Sequence, residues 1–145
     1  MEYKFYGADS PAVQPIASEF SAVKDQRRLY DLLNDIWCEY SCAPRLRPEW
    51  SEENKTLGQC SITAFLVQDI FGGEVYGVKL ESGGVHCYNI VGESKFDLTS
   101  EQFLGKPIEY NDDLPQSREI QFADKDKYER YLYLKKELKK KLASL

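Results

Sequence analysis

A cysteine, the chain's one histidine and an aspartate follow one another as Cys60, His86 and Asp97. These are the residue types of covalent acyl chemistry. A thiolate attacks, an imidazole takes the proton and later returns it, and a carboxylate fixes the imidazole tautomer. Cys60 falls at the expected first turn of a helix. Unpaired N–H groups and the helix dipole there favour negative charge and lower a thiol's pKa. Gly58 just before it lets the backbone turn sharply into that helix. An oxyanion intermediate also needs donors. The backbone N–H of Cys60 is one candidate, and the side-chain amides of Asn54 and Gln59 are others. Asn54 ranks first because its loop can fold back on the helix start. Taken singly, each residue has an ordinary explanation: a small buried cysteine, a hydrogen-bonded strand histidine, a turn carboxylate. Only the combination points to catalysis.

The elements that must position these residues are legible from periodicity. Residues 1–18 contain Pro11 and Pro15 and read as an irregular arm with a short strand at Tyr3–Tyr6. From Glu19 to Tyr40 apolar residues recur at helical spacing behind Ser18 as N-cap. Pro44 and Pro48 then enforce a loop that runs to Gly58. A helix from near Gln59 to near Phe71 is apolar on most sides, the mark of a buried helix, and Gly72-Gly73 stops it. Strands follow at Glu74–Leu80, Val85–Val91 and Ser94–Thr99, with turns at Glu81–Gly84 and Gly92-Glu93. Ser100–Phe103 reads as one helical turn and 105–118 as polar loop. Asp124 caps a last helix through Leu142 with apolar positions Tyr128, Tyr131, Leu132, Leu138 and Leu142. Helices followed by a meander of antiparallel strands predict an α+β fold, with the buried helix on one face of the sheet. No linker divides the chain, so one domain is expected over 1–145, with its core in 19–104.

Strand parity tests the constellation. Gly92-Glu93 fits a two-residue type II′ turn that pairs Val91 with Ser94. Tyr88 then lies opposite Asp97 and His86 opposite Thr99. Asp97 and His86 share a face, one diagonal step apart. A hairpin loop of odd length would put Asp97 on the other face. The three groups meet if the His86 face packs over the start of the buried helix.

Composition narrows the function classes. A net charge of -5 argues against general nucleic-acid binding. No apolar stretch approaches the roughly 20 residues of a membrane span, and the N-terminus lacks a signal-peptide pattern, so neither a membrane nor export is expected. A cytoplasmic address follows, in which Cys38, Cys42, Cys60 and Cys87 are free thiols. One histidine and no Cys-x-x-Cys pair give no metal cluster, and no cofactor is expected. The Lys135–Lys141 run reads as the solvated face of a helix, and the tyrosines of 128–133 as core packing.

Thr56-Leu57-Gly58-Gln59-Cys60-Ser61-Ile62-Thr63-Ala64, Asp69-Ile70-Phe71-Gly72-Gly73, His86-Cys87-Tyr88-Asn89 and Asp97-Leu98-Thr99-Ser100-Glu101-Gln102-Phe103 together resemble the YunG-like family of small bacterial proteins. The match spans about residues 50–104. That family is similar to the papain/transglutaminase-like group, in which cysteine, histidine and an acid follow in this order. The resemblance implies a papain-like fold with Cys60, His86 and Asp97 in the catalytic roles. Cys87 departs from the aromatic or bulky residue expected after the histidine. Two functions follow as expectations. One is a cysteine-dependent hydrolase or acyl transferase acting on a peptide, amide or thioester. The other is a non-catalytic ligand- or protein-binding module on the same fold.

Overall fold

The computed structural model describes residues 2–145 and is an α+β fold: helices around a three-stranded antiparallel sheet in the order β1-β2-β3. The strands are β1 (Glu74–Lys79), β2 (Val85–Val91) and β3 (Ser94–Phe96). The hairpin register follows the expected turn: Val91 pairs with Ser94, Ile90 with Lys95 and Asn89 with Phe96. The ladder stops there, one residue short of the expected Tyr88–Asp97 rung and three short of His86–Thr99. The backbone of Asp97 instead turns to the N-terminal arm, where its N–H donates to the Tyr6 carbonyl at 2.9 Å. The arm thus contributes one bridge at Tyr6 rather than a strand over Tyr3–Tyr6.

The helix expected over 19–40 is interrupted. A 3₁₀ turn covers Ser18–Val23, and helix α1 covers Gln26–Asn34. Lys24 between them has φ 74°, which no helix accommodates. Asp25 is the N-cap, its carboxylate accepting from the Arg28 N–H at 2.8 Å, while Ser18 caps nothing. The warning lay in Lys24–Arg28, five polar residues in a row across what would have been the buried stripe.

Helix α2 (Cys60–Phe71) begins and ends where its sequence predicts. Ile62, Ala64, Phe65, Leu66, Val67, Ile70 and Phe71 are all buried. A helix apolar all round needs cover on every side. The sheet supplies one wall, and helix α4 (Lys125–Ala143) another. Asp124 caps α4 as expected, accepting from the Lys127 N–H at 3.1 Å. Its buried apolar stripe is Tyr131, Leu134 and Leu138, while Leu132 and Tyr128 are exposed. The stripe is therefore shifted from the expected one by a fraction of a turn. A one-turn helix α3 (Arg118–Gln121) interrupts the end of the expected loop. Among the described residues no helix is long and apolar enough to cross a membrane.

Candidate functional site

The loop before α2 delivers Cys60 by local hydrogen bonds. The Ala43 N–H donates to the Gly58 carbonyl at 3.0 Å, closing the loop back on itself. Gly58 has φ 73°, and a Cβ there would lie 2.5 Å from Cys42 Sγ and 2.8 Å from the Ala43 nitrogen. Only glycine satisfies both the conformation and the close approach. Gln59 follows as N-cap and Cys60 starts α2, so the sulfur of Cys60 stands at the mouth of the helix. No side chain caps α2. Its first turn therefore has no side-chain cap from Gln59.

Strand β2 delivers His86. The Asn89 Nδ2 donates to the Ala64 carbonyl at 2.9 Å, fastening β2 to α2. Asn89 and Cys87 thus face α2, so the helix covers the opposite sheet face from the one expected. His86 and Cys60 nevertheless line the same cleft, close enough for each to shift the other's pKa. Phe103 packs edge-on against the imidazole with centroids 4.7 Å apart.

Asp97 completes the group. His86 Nε2 lies 2.6 Å from Asp97 Oδ2, and both side chains are 1% exposed. The same oxygen accepts from the Tyr110 hydroxyl at 2.7 Å. The other oxygen accepts from the Thr99 N–H at 3.1 Å and its hydroxyl at 3.2 Å. With Nε2 committed to Asp97, Nδ1 is the ring nitrogen left for Cys60.

The electrostatics follow from these contacts. A hydrogen bond from the Cys87 thiol is the largest influence on Cys60. It outweighs burial and, with the charge and hydrogen bond of His86 and the Cys87 backbone N–H, holds the Cys60 thiol well below its usual pKa. Burial on its own would lower the pKa of His86. The Asp97 carboxylate and the Cys60 sulfur overcome it and raise the imidazole to about 10. Cys87 moves the other way: its hydrogen bond to Cys60, together with burial, pushes its thiol well up. The shifts run in one sense: Cys60 gives up its proton more readily, His86 holds its proton more tightly, and Cys87 keeps its own while donating toward the Cys60 sulfur. Replacing Cys87 by alanine removes that donor. The pH midpoint for alkylating Cys60 should move up by about one unit; an unmoved midpoint would show that Cys87 is only packing.

The two side-chain amides proposed for the oxyanion do not reach the site. Gln59 is fully buried and its Nε2 donates to the Cys38 carbonyl at 3.1 Å, so it braces the loop instead. Asn54 sits in the turn it closes with Ser51 and is not among the residues that line the Cys60 cleft. Ser61 does line it, with its hydroxyl 3.9 Å from Cys60 Sγ and 3.7 Å from Cys87 Sγ. Sequence reasoning missed Cys87, Ser61, Thr99 and Tyr110. Neighbours on a strand point to opposite faces, so parity hid the approach of Cys87 to the sulfur that His86 also reaches. Tyr110 lies in a polar loop with no periodic signal.

Comparison with known proteins gives the family. The sequence model of the family described as "YunG protein" matches residues 25–143. "Uncharacterized protein YunG" of Bacillus subtilis (strain 168) is 34% identical over 114 residues, which is 79% of this chain and 91% of that relative. No solved structure matches. A family match over most of the chain and a relative aligned along nearly its whole length place this protein in the YunG family.

Proposed function

We propose that this protein is a cysteine-dependent hydrolase or acyl transferase with a papain/transglutaminase-like arrangement of Cys60, His86 and Asp97. The observation that carries the reading is the grouping itself: a cysteine at a helix start whose thiol pKa is held down, an imidazole lining the same cleft, and a buried carboxylate 2.6 Å behind that imidazole. A structural cysteine has no need of a buried ion pair, which is costly to assemble. A nucleophile does.

The chemistry runs in two steps. The Cys60 sulfur attacks the carbonyl carbon of an amide or thioester, forming the C–S bond, while the backbone N–H of Cys60 and the Ser61 hydroxyl receive the oxyanion. The tetrahedral centre collapses, and the leaving amine or thiol departs with the proton from His86 Nδ1. Water, or a second nucleophile, then attacks the acyl-enzyme and gives its proton to Nδ1, and the C–S bond breaks. Asp97 holds the ring in place through both steps. The free thiols are in keeping with a cytoplasmic protein.

An acetyl thioester of thiophenol tests the proposal. The expected result is a burst of one thiophenol per chain, an acetyl adduct mapped to Cys60, and its decay in water; His86→Ala should abolish the burst. Acetyl spread over several thiols, or no release above that of the denatured chain, would leave the site to a binding module.

A further inference from the structure

The cleft that opens on Cys60 and His86 has a volume of about 520 Å³ and is electropositive in an acidic protein. Of the chain's 24 acidic residues only Asp124 lines it, against Arg45, Lys127 and Arg130 among the basic ones. The carboxylate of Asp124 is occupied as the cap of α4. Arg130 is neutralised, its Nε lying 2.7 Å from Asp126 Oδ1. The other two cations keep their charge. Lys127 Nζ donates to Gln121 Oε1, a neutral acceptor. Arg45 is exposed, and among the described residues it makes no ion pair. Its guanidinium lies against Gly84, where a Cβ would come 3.6 Å from one of its nitrogens. That position is two residues from His86. The chain has more acids than bases. Two unneutralised cations beside the nucleophile, with no free acid facing them, therefore mark the sign of what enters.

We propose that the substrate of Cys60 is an anionic, carboxylate-bearing amide or thioester whose carboxylate is received by Arg45 and Lys127. This deepens the preceding reading and rests on it. Arginine offers a planar fork that matches a carboxylate, and lysine adds a point charge. The walls of the same cleft carry Leu46, Leu57, Leu80 and Phe103. They suit the aliphatic stem of an acidic side chain.

Three electrophiles of matched size test it: the chloroacetyl derivatives of glutamate amide, glutamine amide and lysine amide. Each alkylates the Cys60 sulfur with loss of chloride. At low salt the glutamate probe should react about tenfold faster than the glutamine probe, and the lysine probe slowest, the span expected of partly exposed ion pairs. The ratio should shrink toward one in Arg45→Gln and further in the Arg45→Gln, Lys127→Gln double variant, and should fall with added salt. Arg45→Glu should reverse the order of glutamate and lysine probes. Thermal melts check that these surface replacements leave the fold intact. If all three probes label Cys60 selectively but at rates within twofold, the anionic-substrate inference is overturned while the nucleophile stands. If no probe selects Cys60 over the other thiols, the underlying reading falls and this one with it.

Discussion

At pH 6, iodoacetamide should modify Cys60 about thirtyfold faster than any other thiol of the chain, and His86→Ala should remove most of that advantage. An unperturbed thiol is only about 0.3% ionised at that pH, whereas Cys60, held well below its usual pKa, is ionised to a larger extent. Ionisation favours Cys60, and the lower nucleophilicity of a weakly basic thiolate offsets part of that advantage. Cys42 and Cys87 are buried, and burial also pushes the Cys42 thiol up to about 11. Mass-spectrometric mapping of the alkylated chain reads the ratio. The pH profile carries a second signature. Iodoacetate, itself an anion, should lose rate above about pH 10 as His86 gives up its proton, whereas neutral iodoacetamide should not. Uniform slow labelling of the four thiols would contradict the ion pair.

The same two shifts set how stability varies with pH. The folded His86 pKa lies above its unfolded value. Its contribution is complete below about pH 6.5 and is lost as pH rises through about 10. The folded Cys60 pKa lies below its unfolded value. Its contribution is complete above about pH 9 and is lost as pH falls through the folded value. Between about pH 6.5 and 9, folded and unfolded chains bind equal numbers of protons at these two groups. The pair therefore gives a plateau of stability there, with losses on either side.

Asp97→Ala should destabilise the fold by about 3–5 kcal/mol, the cost of leaving one partner of a buried ion pair behind. It strands four donors at once: His86 Nε2, the Tyr110 hydroxyl, and the N–H and hydroxyl of Thr99. Asp97→Asn keeps the volume but points an amide NH₂ at two of those donors, for a loss of about 2–3 kcal/mol. With the carboxylate gone, only the Cys60 sulfur opposes burial at His86, and the imidazole pKa falls. The Cys60 labelling midpoint should rise with it. Urea denaturation and the alkylation profile measure the two effects; a loss under 1 kcal/mol for Asp97→Ala would show that the carboxylate is not what holds the imidazole.

Much of the site was legible because it sits on strongly patterned segments. The apolar run of α2 fixes where Cys60 stands, and the Gly92-Glu93 turn fixes the β2–β3 register by itself. What sequence alone hid was tertiary. Whether Asp97 stays in the ladder depends on competition from Tyr6, ninety-one positions away. Gln59 looked free to serve an oxyanion because nothing local shows that Cys38 claims its amide. The break at Lys24 was visible in five consecutive polar residues, yet apolar periodicity on either side outweighed it. The face of the sheet that α2 covers was set by Asn89 reaching Ala64, a contact no periodicity encodes.

The bridge between Tyr6 and Asp97 has a further consequence. Tyr6 is held on both sides, its carbonyl by the Asp97 N–H and its own N–H by the Ser100 hydroxyl at 2.8 Å. The leading end of the chain thus works as a latch across the segment that carries the acid. Peeling it away frees the backbone on which a buried carboxylate hangs, so the N-terminal arm governs a group almost wholly shut off from water.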